Sequence, residues 1–140
     1  MNEILIFIPA RLGSKRIKDK NIRKIKGKPL IYWTIRYAKK FLKSNEDIIV
    51  SSDSKIIQKI SLNEKVRFFK RPKNISGDKS EVYFAVVHAL KKIKDSKKYK
   101  FIALLQPTSP LRPKNIISNG IKILKKNKSF QNLIHLERTY

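Results

Sequence analysis

Residues 3–9, Glu-Ile-Leu-Ile-Phe-Ile-Pro, form a short, nearly continuous apolar run that ends at a proline. Such a run offers no polar face to water, so it suits a strand buried on both faces. Strands of that kind belong to parallel sheets covered by helices on either side. The rest of the chain has to supply those helices and the neighbouring strands.

It does so in alternation. After a polar loop from Ala10 to about Lys28, Pro29 stands where a helix would start, a position at which its missing N–H costs nothing. Leu30, Trp33, Thr34, Tyr37, Ala38 and Phe41 then recur at the spacing of one helical face. Ile48-Ile49-Val50 reads as a second strand, and Asp53-Ser54 as the cap of a helix carrying Ile56, Ile57 and Ile60. Val66 to Phe69 is a third strand. The segment Arg71 to Lys79 is a loop by its Pro, Asn, Ser, Gly and Asp content. Ser80 or Asp78 is expected to cap a helix whose apolar face is Val82, Ala85, Val86, Ala89, Leu90 and Ile93. Phe101 to Leu105 is a fourth strand, followed by the proline-rich loop Gln106 to Pro113. A helix through Ile117, Ile121 and Leu124 comes next, with Leu133 to Leu136 as a candidate fifth strand. The alternation predicts an α/β fold with a mainly parallel sheet flanked by helices, without repeats or low-complexity segments.

The 140 residues carry 34 Lys+Arg against 10 Asp+Glu, a formal charge of +24. That charge invites a nucleic-acid reading, because basic side chains release counterions on meeting phosphates. Its distribution favours another origin. Of the basic residues 26 are lysine, spread along most of the chain and accompanied by abundant Ile and Asn, the joint signature of an AT-rich coding bias. A basic nucleic-acid-binding module stays open as the weaker alternative. The absence of cysteine excludes disulfides, zinc–thiolate sites and thiol nucleophiles. No apolar run approaches the roughly 18 residues of a membrane span. The start of the chain lacks the features of a signal peptide, so a cytoplasmic location without membrane contact is expected.

In parallel sheets ligands bind beyond the carboxyl ends of the strands. The loop after the first strand places Arg11, Lys15 and Lys20 around Gly13. Cationic side chains and backbone N–H groups converging from one side suit a phosphate chain, and they stabilise the charge that builds up in phosphoryl transfer. The spacing is not that of a Walker loop, and a solvated basic loop is the alternative reading of this segment alone. The loop Gln106-Pro107-Thr108-Ser109-Pro110-Leu111-Arg112-Pro113 fixes its backbone with three prolines. It either aims Gln106, Thr108, Ser109 and Arg112 or simply makes a rigid turn. His88 flanks an apolar helix face and is read as a satisfied structural histidine; Trp33 and Tyr37 are read as core.

Taken together, the two loops resemble one family. The string IPARLGSKRIKDKN, followed by Gly27-Lys28-Pro29-Leu30, is similar to the N-terminal signature of the CMP-sugar synthetases, and most similar to that of the acylneuraminate cytidylyltransferases. Arg71-Pro72 with Asp78, the whole of LLQPTSPLR at 104–112, and the spacing of IIVSSD at 48–53 match in the same order. The KDO cytidylyltransferases share the IPAR start and a GKPL but lack the Lys20-Asn21 pair, and rank second.

The resemblance implies a Rossmann-like nucleotidyltransferase that transfers CMP from CTP to a nonulosonic acid (sialic, legionaminic or pseudaminic acid), releasing pyrophosphate with the help of Mg2+. By position, Arg11, Lys15 and Lys20 would hold the triphosphate and Asn21 would contact the nucleotide. Arg71, with Asp78 and Ser80, would line the cytidine pocket. Gln106 would face the nine-carbon acidic sugar. Lys20, Arg11 and Gln106 are the residues expected to carry the chemistry. The resemblance also implies that residues 1–140 are the N-terminal part of a cytidylyltransferase domain truncated at the C-terminus. The aspartates that bind magnesium and the extension that builds a homodimer would lie outside it. A catalytically incompetent CTP-binding fragment is the alternative.

Overall fold

The computed structural model describes residues 3–13, 19–75 and 82–127. Its centre is β1 (Ile4–Pro9), in which Leu5, Ile6, Phe7 and Ile8 are all fully buried. Four parallel strands stand in the order β5–β4–β1–β6, with β4 at Ile48–Ser52, β5 at Arg67–Lys70 and β6 at Phe101–Leu104. Register pairs Pro9 with Ser51, Ser52 with Lys70 and Phe7 with Leu104. The carboxyl ends of the four strands therefore lie along one edge.

Helices cover the sheet as the apolar first strand requires. The connections through α1 (Leu30–Phe41) and α2 (Lys55–Asn63) step outward from β1 to β4 to β5. The connection through α3 (Val82–Lys92) returns across the sheet to β6. Right-handed crossovers place helices on opposite faces when the direction of travel reverses. On the α3 face Leu5, Phe7 and Ile49 pack with Ala85, Ala89 and Ile93, flanked by Val82, Val86 and Leu90, which is the helix face expected from the sequence. Burying each large apolar side chain in this cluster contributes about 1.5–3 kcal/mol.

Three local features depart from the expectations. The segment between β1 and α1 is not all loop. It holds a 3-10 turn at Lys20–Ile22 and a hairpin of β2 (Lys24–Ile25) and β3 (Lys28–Pro29). Lys26 and Gly27 both have positive φ, as a two-residue hairpin turn of the type I′ class demands. On α1 the buried stripe is Ile31, Thr34, Ile35 and Ala38, whereas Leu30, Trp33, Tyr37 and Phe41 are half-buried. The hairpin explains part of this rotation, because the Trp33 Nε1–H donates to the Ile25 carbonyl at 3.1 Å. Finally, Ser54 alone caps α2, its Oγ accepting from the Ile57 N–H at 3.3 Å, so Asp53 is not the cap.

The chain forms two compact units, Met1–Pro110 and Leu111–Tyr140. In the second, α4 (Ile116–Lys126) carries the expected Ile117, Ile121 and Leu124, of which Ile117 is buried. The expected strand at Leu133–Leu136 and the caps Asp78 and Ser80 lie outside the described residues.

At the edge opposite the strand carboxyl ends, Asp47 is buried just before β4. The Tyr99 hydroxyl donates to its Oδ1 at 2.6 Å, and Lys98 Nζ lies 3.3 Å from the same oxygen. Burial and the bond to Asp47 both raise the Tyr99 phenol above its ordinary value of 10.0. The folded state thus holds this proton more tightly than the unfolded state, so the contribution is complete below pH 10 and declines as pH rises through the raised value. Tyr99→Phe is expected to cost about 1.5 kcal/mol near pH 8, as for a hydrogen bond to a charged group. Denaturant titrations should show that difference shrinking above about pH 10. Gly27 sits at φ +76 with nothing within 4 Å of where a Cβ would stand. Gly27→Ala should therefore destabilise by about 1 kcal/mol through backbone conformation alone, measurable in the same titration.

Candidate functional site

One residue beyond the paired ends of β1, β4 and β5 stand Ala10, Asp53 and Arg71. The backbone ladder continues through two of them: the Ala10 N–H donates to the Ser51 carbonyl at 2.9 Å and the Arg71 N–H to the Ser52 carbonyl at 2.8 Å. These bonds fix where the two flanking loops leave the sheet. Arg11, half-buried, follows Ala10 into the loop after β1, and Arg71 is the first residue after β5.

Arg71 is 3% exposed, unusual for a guanidinium and tolerable only with polar partners. Its Nε–H donates to Ser51 Oγ at 3.2 Å and an NH2 group donates to the Ser51 carbonyl at 3.4 Å. Burial pushes this guanidinium below its ordinary value; Asp53 pulls it back up, and Arg11 pushes it down again. The Arg71 guanidinium thus feels both the Asp53 carboxylate and the Arg11 guanidinium at the carboxyl edge.

The 3-10 turn at Lys20–Ile22 brings the distal part of the first loop back to its beginning. It rests on a left-handed Asp19, a residue type that tolerates φ of 53°, and the Ile22 N–H closes onto the Asp19 carbonyl at 3.0 Å. The Leu30 N–H donates to the Arg23 carbonyl at 2.8 Å, which ties this turn to the start of α1. Within the turn Asn21 is 5% exposed, and its Nδ2–H donates to the Arg11 carbonyl at 3.0 Å. The Asn21 Oδ1 is buried and accepts no hydrogen bond from the described residues. Lys20, half-buried, immediately precedes it. The structure thus joins Arg11, Lys20 and Asn21 in one loop, at the same edge of the sheet as Arg71.

Gln106 follows β6, at the same edge but on the far side of β1 from β4. It is half-buried, and its carbonyl accepts the Ser109 N–H at 3.2 Å in a turn containing the buried Pro107. Thr108 is exposed. Arg112 belongs to the second unit. Lys15, Asp78 and Ser80 lie outside the described residues.

Two features depart from the sequence expectations. Asp53 Oδ1 accepts the Leu12 N–H at 2.8 Å across 41 residues, a bond to the first loop that no local pattern announces. His88 is not a satisfied structural histidine, since its Nδ1 is buried without a partner among the described residues. Burial, then Lys92 and Arg71, lowers the His88 imidazole from its ordinary value.

Arginine and lysine side chains arrayed around a loop at the carboxyl edge of a parallel sheet can bind and orient a polyanion and offset charge on it. Comparison with known proteins points the same way. The chain is 34% identical over 139 residues to an N-acylneuraminate cytidylyltransferase of Escherichia coli, a match covering 98% of this chain and 32% of that protein. It is 39% identical over 126 residues to a CMP-N,N'-diacetyllegionaminic acid synthase of Legionella pneumophila, covering 87% of this chain and 53% of that protein. Among solved structures, CMP:2-keto-3-deoxy-manno-octonic acid synthetase complexed with CTP superposes with a TM-score of 0.73 at 19% identity. That superposition covers 91% of this chain and 49% of the other, and it shows a shared fold. The chain accordingly spans from about a third to about half the length of these relatives. The sequence model of the family described as cytidylyltransferase matches residues 5–137, and the chain belongs to that family.

Proposed function

We propose that this chain binds CTP at the carboxyl edge of its sheet and serves the transfer of CMP to a nonulosonic acid, with release of pyrophosphate. The observation that carries the reading is the placement of buried Arg71 and of Arg11 just beyond the ends of β5 and β1, at one edge of the sheet, with Asn21 bonded to the Arg11 carbonyl. In this proposal Arg11, Lys15 and Lys20 hold the triphosphate and offset its charge as the sugar hydroxyl attacks the α-phosphate. Asn21 contacts the nucleotide, Arg71 with Asp78 and Ser80 lines the cytidine pocket, and Gln106 faces the sugar. The two sequence relatives support a sialic, legionaminic or related acid over KDO, because they match at 34% and 39% identity against 19% for the octonic acid enzyme.

Among the described residues no group of three or more His, Asp or Glu side chains could hold a metal, and in this proposal the carboxylates for the divalent cation implied by the family lie outside the described residues. Asp53 is already engaged by the Leu12 N–H. Dimerisation belongs to the same proposal and rests on the family resemblance. No helix among the described residues is long and apolar enough to cross a membrane.

The test is calorimetric binding of CTP by the 140-residue chain, with pyrophosphate release followed in the presence of CTP, Mg2+ and a panel of nonulosonic acids. CTP binding is expected, and its absence would overturn the proposal. Lys20→Ala should weaken CTP binding about tenfold or more, since a charge-assisted hydrogen bond contributes about 1.5–3 kcal/mol. Unchanged affinity would remove Lys20 from the site. Binding without turnover would identify a CTP-binding portion of an enzyme. Tight, steeply salt-dependent binding of RNA or DNA with no response to CTP would favour the nucleic-acid module instead.

A further inference from the structure

The tripeptide Ser51-Ser52-Asp53 ends β4 and continues one residue past it, and its side chains reach three different partners across the edge of the sheet. Ser51 and Ser52 are fully buried. Ser51 Oγ accepts from Arg71 Nε at 3.2 Å, and the Ser51 carbonyl also accepts from an Arg71 NH2 group at 3.4 Å. Ser52 Oγ donates to the Ala10 carbonyl at 2.5 Å, and Asp53 Oδ1 accepts the Leu12 N–H at 2.8 Å. Arg11 lies between Ala10 and Leu12. Its backbone is therefore held from both sides by the end of β4, while the side chain of Arg71 is held by Ser51 of the same strand.

We propose that Ser51, Ser52 and Asp53 are positioning residues that set Arg11 and Arg71 at a fixed separation, with β4 as the common reference. This deepens the reading of the site as one for CTP and rests on it. A local role for Asp53 does not account for the arrangement, because Ser54 caps the following helix. Serine suits the two inner positions. Its hydroxyl both donates and accepts, and its small volume lets Arg71 and the first loop approach the strand closely. A carboxylate suits the third position because it accepts from a backbone N–H and stands near the N-terminus of α2, where negative charge is favoured. Its negative charge is also felt by the Arg71 guanidinium.

The two anchors separate the expected effects. Asp53 holds the loop of Arg11, which meets the triphosphate, whereas Ser51 holds Arg71, which meets the cytidine moiety. Affinities for CTP and CMP should be measured on the full chain, with a thermal melt of each variant. Asp53→Ala is expected to lower CTP affinity about tenfold and leave CMP affinity within about twofold. Asp53→Asn, whose amide oxygen still accepts the Leu12 N–H, should recover most of that loss. Ser51→Ala is expected to weaken CMP and CTP by the same factor. If Asp53→Ala does not fold, Asp53→Glu shifts the carboxylate by a methylene and should give the same CTP-selective loss.

Variants that melt at lower temperature yet bind both nucleotides as the wild type does would overturn the inference. An equal loss of CTP and CMP in every variant would overturn it too. A wild-type chain that binds neither nucleotide would overturn the underlying reading of the site, and the positioning role with it. That outcome is recognised before any variant is made.

Discussion

The burial of β1 on both faces organises everything else in the first unit. With Leu5 to Ile8 fully enclosed, the strand must pair on both sides and be covered above and below. Pairing to β4 and β6 satisfies its backbone, and helices on opposite faces satisfy its side chains. Parallel pairing then gathers the strand carboxyl ends at one edge, so the loops that carry Arg11, Arg71 and Gln106 emerge there together. The site is a consequence of strand direction before it is a consequence of any single side chain.

The two ends of the sheet use polar groups differently. At one, Asp47, Tyr99 and Lys98 form a compact set in which a buried carboxylate meets a hydroxyl and an ammonium. A buried charge so matched holds the element before β4 in place. At the other, the polar groups around Arg71, Arg11 and Asn21 include two like charges and a buried acceptor with no donor among the described residues. Among the described residues, the Asn21 oxygen is what separates the second set from the first.

Much of this was legible in the sequence because the decisive signals were local. The apolar run of β1, the helical spacing of Ala85, Ala89 and Ile93, and the order of strands and helices needed only a window of neighbouring residues. The family signatures at 8–21 and 104–112 likewise pointed to the loops that flank the carboxyl edge. What escaped depended on distant partners. The buried stripe of α1 turned on the hairpin that receives Trp33, and the short strands of that hairpin contain exposed lysines that give no apolar pattern. Asp53 read as a helix cap because caps are local, whereas its partner Leu12 lies 41 residues away. Arg71 gave no sign of being buried, since its shelter comes from Ser51 on the neighbouring strand.

The buried Asn21 Oδ1, which has no donor among the described residues, gives the site a particular relation to stability. A buried carbonyl oxygen without a donor weighs against the folded state by about 1–3 kcal/mol. An apolar side chain of similar shape would remove that penalty from the empty protein and at the same time remove the oxygen that an incoming hydroxyl or amine could satisfy. If Asn21 contacts the nucleotide as proposed, folding and recognition make opposite demands on this one atom.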